Sequence, residues 1–249
     1  MPIPSSQSDS SPEGTRRAAE LRVGETFGDF ELLALVGDGG MGAVYAVRPM
    51  RRGIVDRVYA LKVPHAYLRD LVEGGAGMLL DEARIASSIR HPNVLSVLSA
   101  PTDRSGEIAL LMEYVEGASF EWVLKRSRHL GHVLPRPVVL RMLLDGLSGL
   151  SAAHRQETLD GRPMRVVHRD IAPGNLFVGL DGMTRLSDFG IAAAADRFVH
   201  SIVGSVKGRM AYMAPERIEG AVADSRSDVF AYGVVVWEAF AGERLFRGT

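Results

Sequence analysis

The stretch Arg165–Gly190, RVVHRDIAPGNLFVGLDGMTRLSDFG, decides how this chain reads. β-favouring runs alternate in it with turn formers, so it predicts strand, loop, strand, turn, strand. Asp181-Gly182 separates two such runs, Asn175–Val178 and Thr184–Asp188, and Asp-Gly between strands marks a tight hairpin. Folding the ribbon about that dipeptide sets Asn175 opposite Asp188. Side chains directly opposed on one sheet face have Cβ atoms about 4.5–5.5 Å apart. Asp170 lies five residues before Asn175, in the loop that leads into it. Three oxygen-bearing side chains converging in this way suit a hard cation such as Mg²⁺, which is usually shared with substrate phosphates. For the stretch alone, a solvated hairpin with ordinary polar ends is the simpler alternative.

Composition sets the frame. A chain of 249 residues buries a sizeable core in one large or two small domains. Apolar residues at 46% and charged residues at 24% are those of a soluble globular protein. The net charge of −1 gives no electrostatic reason to expect nucleic acid or an anionic membrane as partner. With no cysteine there are no disulfides or thiolate metal sites. No basic-then-apolar leader is recognisable, and the most apolar run, Val229–Phe240, is too short to span a bilayer. A cytoplasmic location is the expectation.

Upstream of the central stretch, residues 1–26 read as a disordered tail, rich in serine and proline before Ala18. Strands are predicted over Phe30–Val36 and Ala43–Val47, joined by Gly37-Asp38-Gly39-Gly40-Met41-Gly42. Glycines let a backbone approach a phosphate and present N–H donors to it. A dinucleotide-binding turn would need a helix next, and a Walker A loop would need Gly-Lys-Ser/Thr; neither follows. Val58–Val63 is a strand with Lys62 inside it, a position where a lysine is commonly a solvated edge charge. Pro49–Asp56 reads as a long loop. Met78–Ile89 is a helix candidate ended by His91-Pro92-Asn93. Ile108–Tyr114 is an apolar, buried strand.

Downstream, Leu140, Leu143, Leu144, Leu147 and Leu150 follow helical spacing and predict an amphipathic core helix. His154 near its end reads as a helix-terminal residue. Ile191–Met213 has few core signals and reads as a mobile loop. Ser227–Ala241 is apolar nearly all round, so a buried helix is expected, with Asp228 at its start suiting the helix dipole.

His168-Arg169-Asp170 with Asn175, followed by Asp188-Phe189-Gly190, resembles the catalytic and magnesium loops of the eukaryotic-type protein kinases. Three further motifs follow the family's order. The glycine hairpin resembles the nucleotide-covering loop, Ala60-Leu61-Lys62 the family's Ala-x-Lys, and Ala214-Pro215-Glu216 the end of the activation segment. Ala172 is similar to the tyrosine kinases, whereas Pro173 and Ala211–Glu216 look like the serine/threonine group and its bacterial members. The resemblance covers residues 27–249. It implies an α+β, bilobal kinase fold: a small, mainly antiparallel β-sheet lobe with one main helix (27–112), a hinge (113–117) and a mainly helical lobe (118–249), incomplete at the C-terminus.

It also implies roles. Asp170 would accept the proton of a protein hydroxyl, and Asn175 and Asp188 would hold Mg²⁺ on the phosphates of ATP. Lys62 would hold the nucleotide and pair with a helical glutamate, best matched by Glu82, with Glu73 and Asp81 as competitors. Val36, Gly37, Gly39, Gly42, Val44, Ala60, Met112, Glu113, Val115 and Phe177 would line the nucleotide site. Asp228 would anchor the catalytic loop, and Arg169 would receive a phosphate on Ser201 or Ser205. The activity implied is serine/threonine phosphotransfer in signalling, with a protein substrate, no nucleic acid and self-association for autophosphorylation. Membrane contact is expected only through a segment beyond Thr249. The alternative is a pseudokinase, a nucleotide-binding scaffold without transfer.

Three departures stand out. Ala172 replaces the lysine usual two residues after the catalytic aspartate, and Arg209 replaces the threonine usual after Gly208. Arg209 or Lys207 is the candidate source of the missing charge. The family's later helices, one carrying an arginine partner for Glu216, are absent from this sequence. An uncovered apolar face on the Trp237 helix is therefore expected.

Overall fold

A computed structural model of the chain describes residues 21–39, 42–50, 57–65, 85–158, 160–189 and 210–246. Elements are numbered here in chain order. The first half forms a six-stranded antiparallel sheet in the order β1-β2-β3-β4-β6-β5. Its strands are β1 (Thr26–Phe27), β2 (Phe30–Gly39), β3 (Gly42–Pro49), β4 (Tyr59–Pro64), β5 (Val97–Ser99) and β6 (Leu110–Glu113). A second sheet, β7 (Gly117–Ser119), β8 (Leu176–Gly179) and β9 (Thr184–Leu186), lies against helices α1 (Phe120–His129) and α2 (Arg136–His154). A short α3 (Pro215–Ile218) and the long α4 (Ser225–Ala241) complete the helical half. The expected α+β division into a sheet lobe and a helical lobe is what the chain adopts.

β4 is the strand around which the small lobe is built. Side chains alternate between sheet faces with period two. Leu61 and Val63 enter one core with Tyr45, Val47 and Leu111, while Ala60 joins a second with Leu110 and Met112. Lys62 shares the Ala60 face, paired across the sheet with Val44 on β3 and Leu110 on β6. The lysine is only 6% exposed, so the edge-charge alternative does not apply. β2 and β3 form the glycine hairpin, which confirms strand rather than helix after Gly42. Residues 85–88 are helical and the helix stops before His91-Pro92. The rest of the Met78–Ile89 candidate, including Glu82 and its competitors, lies outside the described residues. So do residues 1–20, the loop at 51–56 and the segment 190–209 with Ser201, Ser205, Lys207 and Arg209. The expected tail over 1–26 is too long: Gly24 N donates to the Leu32 carbonyl oxygen at 2.8 Å, Glu25 accepts from the Leu32 amide at 2.9 Å, and Thr26 lies in β1, so the sheet already holds residues 24–26.

The helical half corrects three expectations. On α2 the buried positions are Val139, Leu143, Gly146, Leu150 and Ala153, whereas Leu140, Leu144 and Leu147 are 43–52% exposed. The core stripe runs i, i+4, i+7, and these three leucines lie on its flank. Two glycines set that stripe: a Cβ on Gly149 would stand 2.2 Å from the Asn93 carbonyl oxygen, and one on Gly146 2.4 Å from Leu176 Cδ2. The loop after the small-lobe helix and the β8–β9 ribbon thus pack directly on the α2 backbone.

α4 starts two residues earlier than expected. Asp224 is its N-cap, accepting from the Arg226 and Ser227 amides in a capping box. Asp228 is therefore inside the helix and available for another task. The helix is not buried all round: Val229, Trp237 and Phe240 are 39–56% exposed, while Tyr232, Val234, Val235 and Glu238 face the core.

The third correction concerns the central ribbon. Gly179 and Met183 close its turn, with Leu180, Asp181 and Gly182 between them and Gly182 left-handed at φ 78°. A three-residue loop ending in a left-handed glycine replaces the two-residue turn that Asp-Gly alone implies. The register moves by one: Leu176 pairs with Leu186, and Ser187, not Asp188, lies opposite Asn175.

Candidate active site

The loop Val166–Asn175 is fixed from below by one buried carboxylate. Asp228, 2% exposed, accepts from the His168 amide at 2.7 Å, from the Arg169 amide at 2.8 Å and from His154 Nε2 at 2.8 Å. Arg169 sits at φ 68°, a left-handed conformation that non-glycine residues adopt only when their surroundings hold them there. The Asp228 contacts supply that hold. His154 is thus part of the loop's support and not merely a helix end. No local pattern marks it, because its partner lies 74 residues away.

His168 is fully buried and packed against Phe189, with ring centroids 4.6 Å apart and the rings tilted by 47°. Its Nε2 donates to the Ser187 carbonyl oxygen at 2.9 Å, and its Nδ1 accepts from the Asp170 amide at 3.3 Å. That pattern fixes the neutral tautomer protonated at Nε2. Burial pushes the imidazole below its ordinary value of 6.5, against the pull of Asp228 and Asp170. One ring thereby ties the loop carrying Asp170 to the strand end that leads to Asp188.

Asn175 ends a 3₁₀ turn, Pro173–Asn175. Its Nδ2 donates to the Asp170 carbonyl oxygen at 2.7 Å and to Asp170 Oδ2 at 2.9 Å. The carboxylate of Asp170 is oriented by that amide. Asn175 Oδ1 is then the atom left for an oxygen-seeking cation. Across the ribbon, Ser187 N donates to the Asn175 carbonyl oxygen at 2.9 Å, and Asp188 follows at φ 61°. Asp188 Oδ1 meets Lys62 Nζ at 2.5 Å, joining the two sheets. The structure therefore groups Asp170 with Asn175 and Lys62 with Asp188. It does not set Asn175 directly opposite Asp188. Among the described residues no three His, Cys, Asp or Glu side chains gather as a metal site. The donor set in question is an amide oxygen and a carboxylate, chemistry that fits Mg²⁺ or a similar hard cation completed by phosphate oxygens and water.

Of the remaining predicted residues, Phe177 lies on β8, paired with Ser119 and Arg185, Val115 lies between β6 and β7, and the others fall on the six-stranded sheet. Val44, Ala60 and Met112 share the apolar face that carries Lys62, and Met112 is 6% exposed at the end leading to Glu113. Val36 is exposed at a bulge in β2 between Leu35 and Gly37. The glycines separate into two kinds. A Cβ on Gly42 would stand 2.3 Å from the Val63 carbonyl oxygen, so packing demands glycine there. Among the described residues, a Cβ on Gly39 would meet nothing within 4 Å, and one on Gly37 only Val44 Cβ at 3.8 Å. The fold does not need glycine at those two positions, and the open space fits a phosphate drawn close to the backbone.

Sequence reasoning missed the braces around this site. Arg185 Nε reaches Glu113 Oε1 at 3.2 Å while its Nη2 holds Asp181 Oδ2 at 2.6 Å, tying the ribbon to the strand before the hinge. Asn93 Nδ2 donates to the Thr184 carbonyl oxygen at 2.9 Å, and buried Asp145 accepts from the Thr184 amide at 3.2 Å. Glu216 accepts from Ser227 Oγ at 3.0 Å.

Comparison with known proteins places this geometry. A family model described as a protein kinase domain matches residues 30–249. The chain is 36% identical over 225 residues to the tyrosine-protein kinase MasK of Myxococcus xanthus, covering 89% of this chain and 34% of that protein. It is 34% identical over 232 residues to the serine/threonine-protein kinase PknA of Mycobacterium tuberculosis, covering 91% and 50%. Among solved structures it is similar to the M. tuberculosis PknI kinase domain, with a TM-score of 0.68 and 26% identity, covering 91% of this chain and 79% of that one. The chain spans 34% and 50% of the lengths of these two curated relatives.

Proposed function

The chain belongs to the protein kinase domain family, and on that premise we propose that it transfers the γ-phosphate of ATP to serine or threonine hydroxyls of proteins. The observation that carries the reading is the pairing of Lys62 with Asp188 beside a separately oriented Asp170. Phosphoryl transfer needs little covalent chemistry from a protein; it needs positioning and charge compensation. Lys62 holds nucleotide phosphates from a buried strand. Asp170, aimed by Asn175, receives the proton of the attacking hydroxyl. A bond forms between that oxygen and the γ-phosphorus, the bond to the β-phosphate oxygen breaks, and ADP leaves. Asn175 Oδ1 and Asp188 would hold the divalent cation, which would neutralise phosphate charge. Glu82 is the proposed partner of Lys62. Val36, Val44, Ala60, Met112, Phe177 and the backbone of Glu113 and Val115 enclose the base.

The relatives' names divide on the acceptor: MasK is called a tyrosine kinase, PknA a serine/threonine kinase. Pro173 and the run Ala211–Glu216 support the serine/threonine side. A role in bacterial signalling, on the cytoplasmic side where ATP is available, is part of the same proposal. Among the described residues no helix is long and apolar enough to cross a membrane. The pseudokinase alternative has no support: Lys62, Asp170 and Asp188 are all present, and the relatives named are kinases. The test is transfer of labelled γ-phosphate from Mg·ATP to a generic protein substrate, followed by phosphoamino-acid analysis. Phosphoserine and phosphothreonine are expected. Phosphotyrosine alone overturns the acceptor class, and no label on any substrate, or on the kinase itself, overturns the kinase reading.

A further inference from the structure

Three strands of the small lobe end at one level. Gly39 closes β2, Pro64 closes β4, and Gly42, at the start of β3, is paired with both. The residue after Pro64 is His65. Its Nε2 lies 2.7 Å from the Gly39 carbonyl oxygen and 3.4 Å from Asp38 Oδ1. A side chain rooted beside β4 therefore bonds to β2, two strands away. Neighbouring strands are about 4.8 Å apart, so the reach is long for an imidazole. Gly42 on the strand between carries no side chain to block it, and that glycine is pressed against the Val63 carbonyl. The histidine side chain is 12% exposed and that of Asp38 48%, so the link is shielded at its root and open at its far end.

This place in the fold gives the link a consequence. In the reading proposed above, Gly37-Asp38-Gly39 is the backbone that nucleotide phosphates approach. Asp38 puts a carboxylate among those glycines, and a free acid there repels a triphosphate. We propose that His65 is a positioning residue for nucleotide binding: through the Gly39 carbonyl and the Asp38 carboxylate it holds the end of β2 in the form that accepts the phosphates. It touches no substrate. It acts by fixing one carbonyl and by drawing one negative charge aside.

The inference rests on the kinase reading, and its test keeps the two apart. Binding of a fluorescent ATP analogue with Mg²⁺ is titrated on the full 249-residue chain, together with kcat and the KM values for ATP and for protein substrate. His65→Ala removes the link, and His65→Phe keeps the ring while removing its donor. His65→Gln restores an N–H at similar reach. We expect Ala and Phe to weaken analogue binding about five- to tenfold, a change that one lost hydrogen bond can produce. KM for ATP should rise by the same factor, with kcat and the protein-substrate KM within about twofold. Gln should recover most of the loss, and adding Asp38→Asn to His65→Ala should recover part of it. Wild-type binding with unaffected Ala and Phe variants overturns the inference alone. So does a loss that Gln fails to recover, because that marks a packing role. A wild-type chain that binds no nucleotide overturns the kinase reading and this inference with it.

Discussion

The two halves of the candidate site are held by opposite means. The catalytic loop rests on a buried carboxylate with three donors and on a fully buried histidine bonded at both nitrogens. The glycine hairpin is exposed along much of β2, is bulged in two places, and is joined at its end by the side chain of His65. The first arrangement holds strained backbone, at Arg169 and Asp188, in one geometry. The second leaves Gly37 and Gly39 clear of close contacts among the described residues. Proton acceptance needs a fixed carboxylate, whereas the phosphate-facing backbone takes its side-chain support at the Gly39 carbonyl. The difference teaches where this chain concentrates its buried polar bonds.

The comparison is broken most severely by Asp228→Ala. It leaves the His168 and Arg169 amides and His154 without their acceptor, and should lower stability by about 2–5 kcal/mol in denaturant unfolding. Turnover should fall with the loop's geometry even at temperatures where the variant stays folded. A loss below about 1 kcal/mol would show that the loop holds itself.

Next come the glycines, which sharpen the contrast within the hairpin. Gly42→Ala forces a methyl against backbone at a φ of 151° and should cost about 1–3 kcal/mol. Gly39→Ala meets no atom within 4 Å among the described residues and should leave stability unchanged or raise it by up to about 1 kcal/mol, since alanine restricts the unfolded chain. Its effect should appear in KM for ATP. Equal thermal destabilisation by both substitutions would contradict the division between packing and open glycines.

The smallest effect is a pH slope. His168 is neutral when folded, its imidazole held below 6.5 by burial, so the unfolded chain binds the extra proton as pH falls past that value. The stability it contributes is complete above pH 6.5 and declines on acidification, by at most about 1.4 kcal/mol per pH unit. Unfolding at pH 7, 6 and 5 should show this slope flattened in His168→Phe. Identical slopes in the two proteins would mean that the histidine is not held neutral.

Much of this was legible in the chain. The glycine hairpin, the strand bearing Lys62 and the closeness of Asp170 to Asn175 could be read from local motifs, and the anchoring role of Asp228 from the family resemblance. What escaped reading was non-local or geometric. The ribbon's register turned on whether Asp181-Gly182 closed a two- or three-residue loop, and a dipeptide does not decide that. His154 looked like a helix end because its carboxylate partner lies on another helix. Leu140, Leu144 and Leu147 fit an apolar stripe, but the packed stripe is the one where Gly146 and Gly149 admit neighbouring backbone and side chains. Spacing shows a helix face; it does not show which of two adjacent faces finds a partner.

The most direct test of the account is transfer of the γ-phosphate from Mg·ATP to protein by Asp170→Asn, with nucleotide affinity measured beside it. The account predicts a turnover loss of roughly 10²–10⁴-fold, with affinity for a fluorescent ATP analogue within about twofold of wild type. A variant that transfers phosphate at the wild-type rate would contradict it.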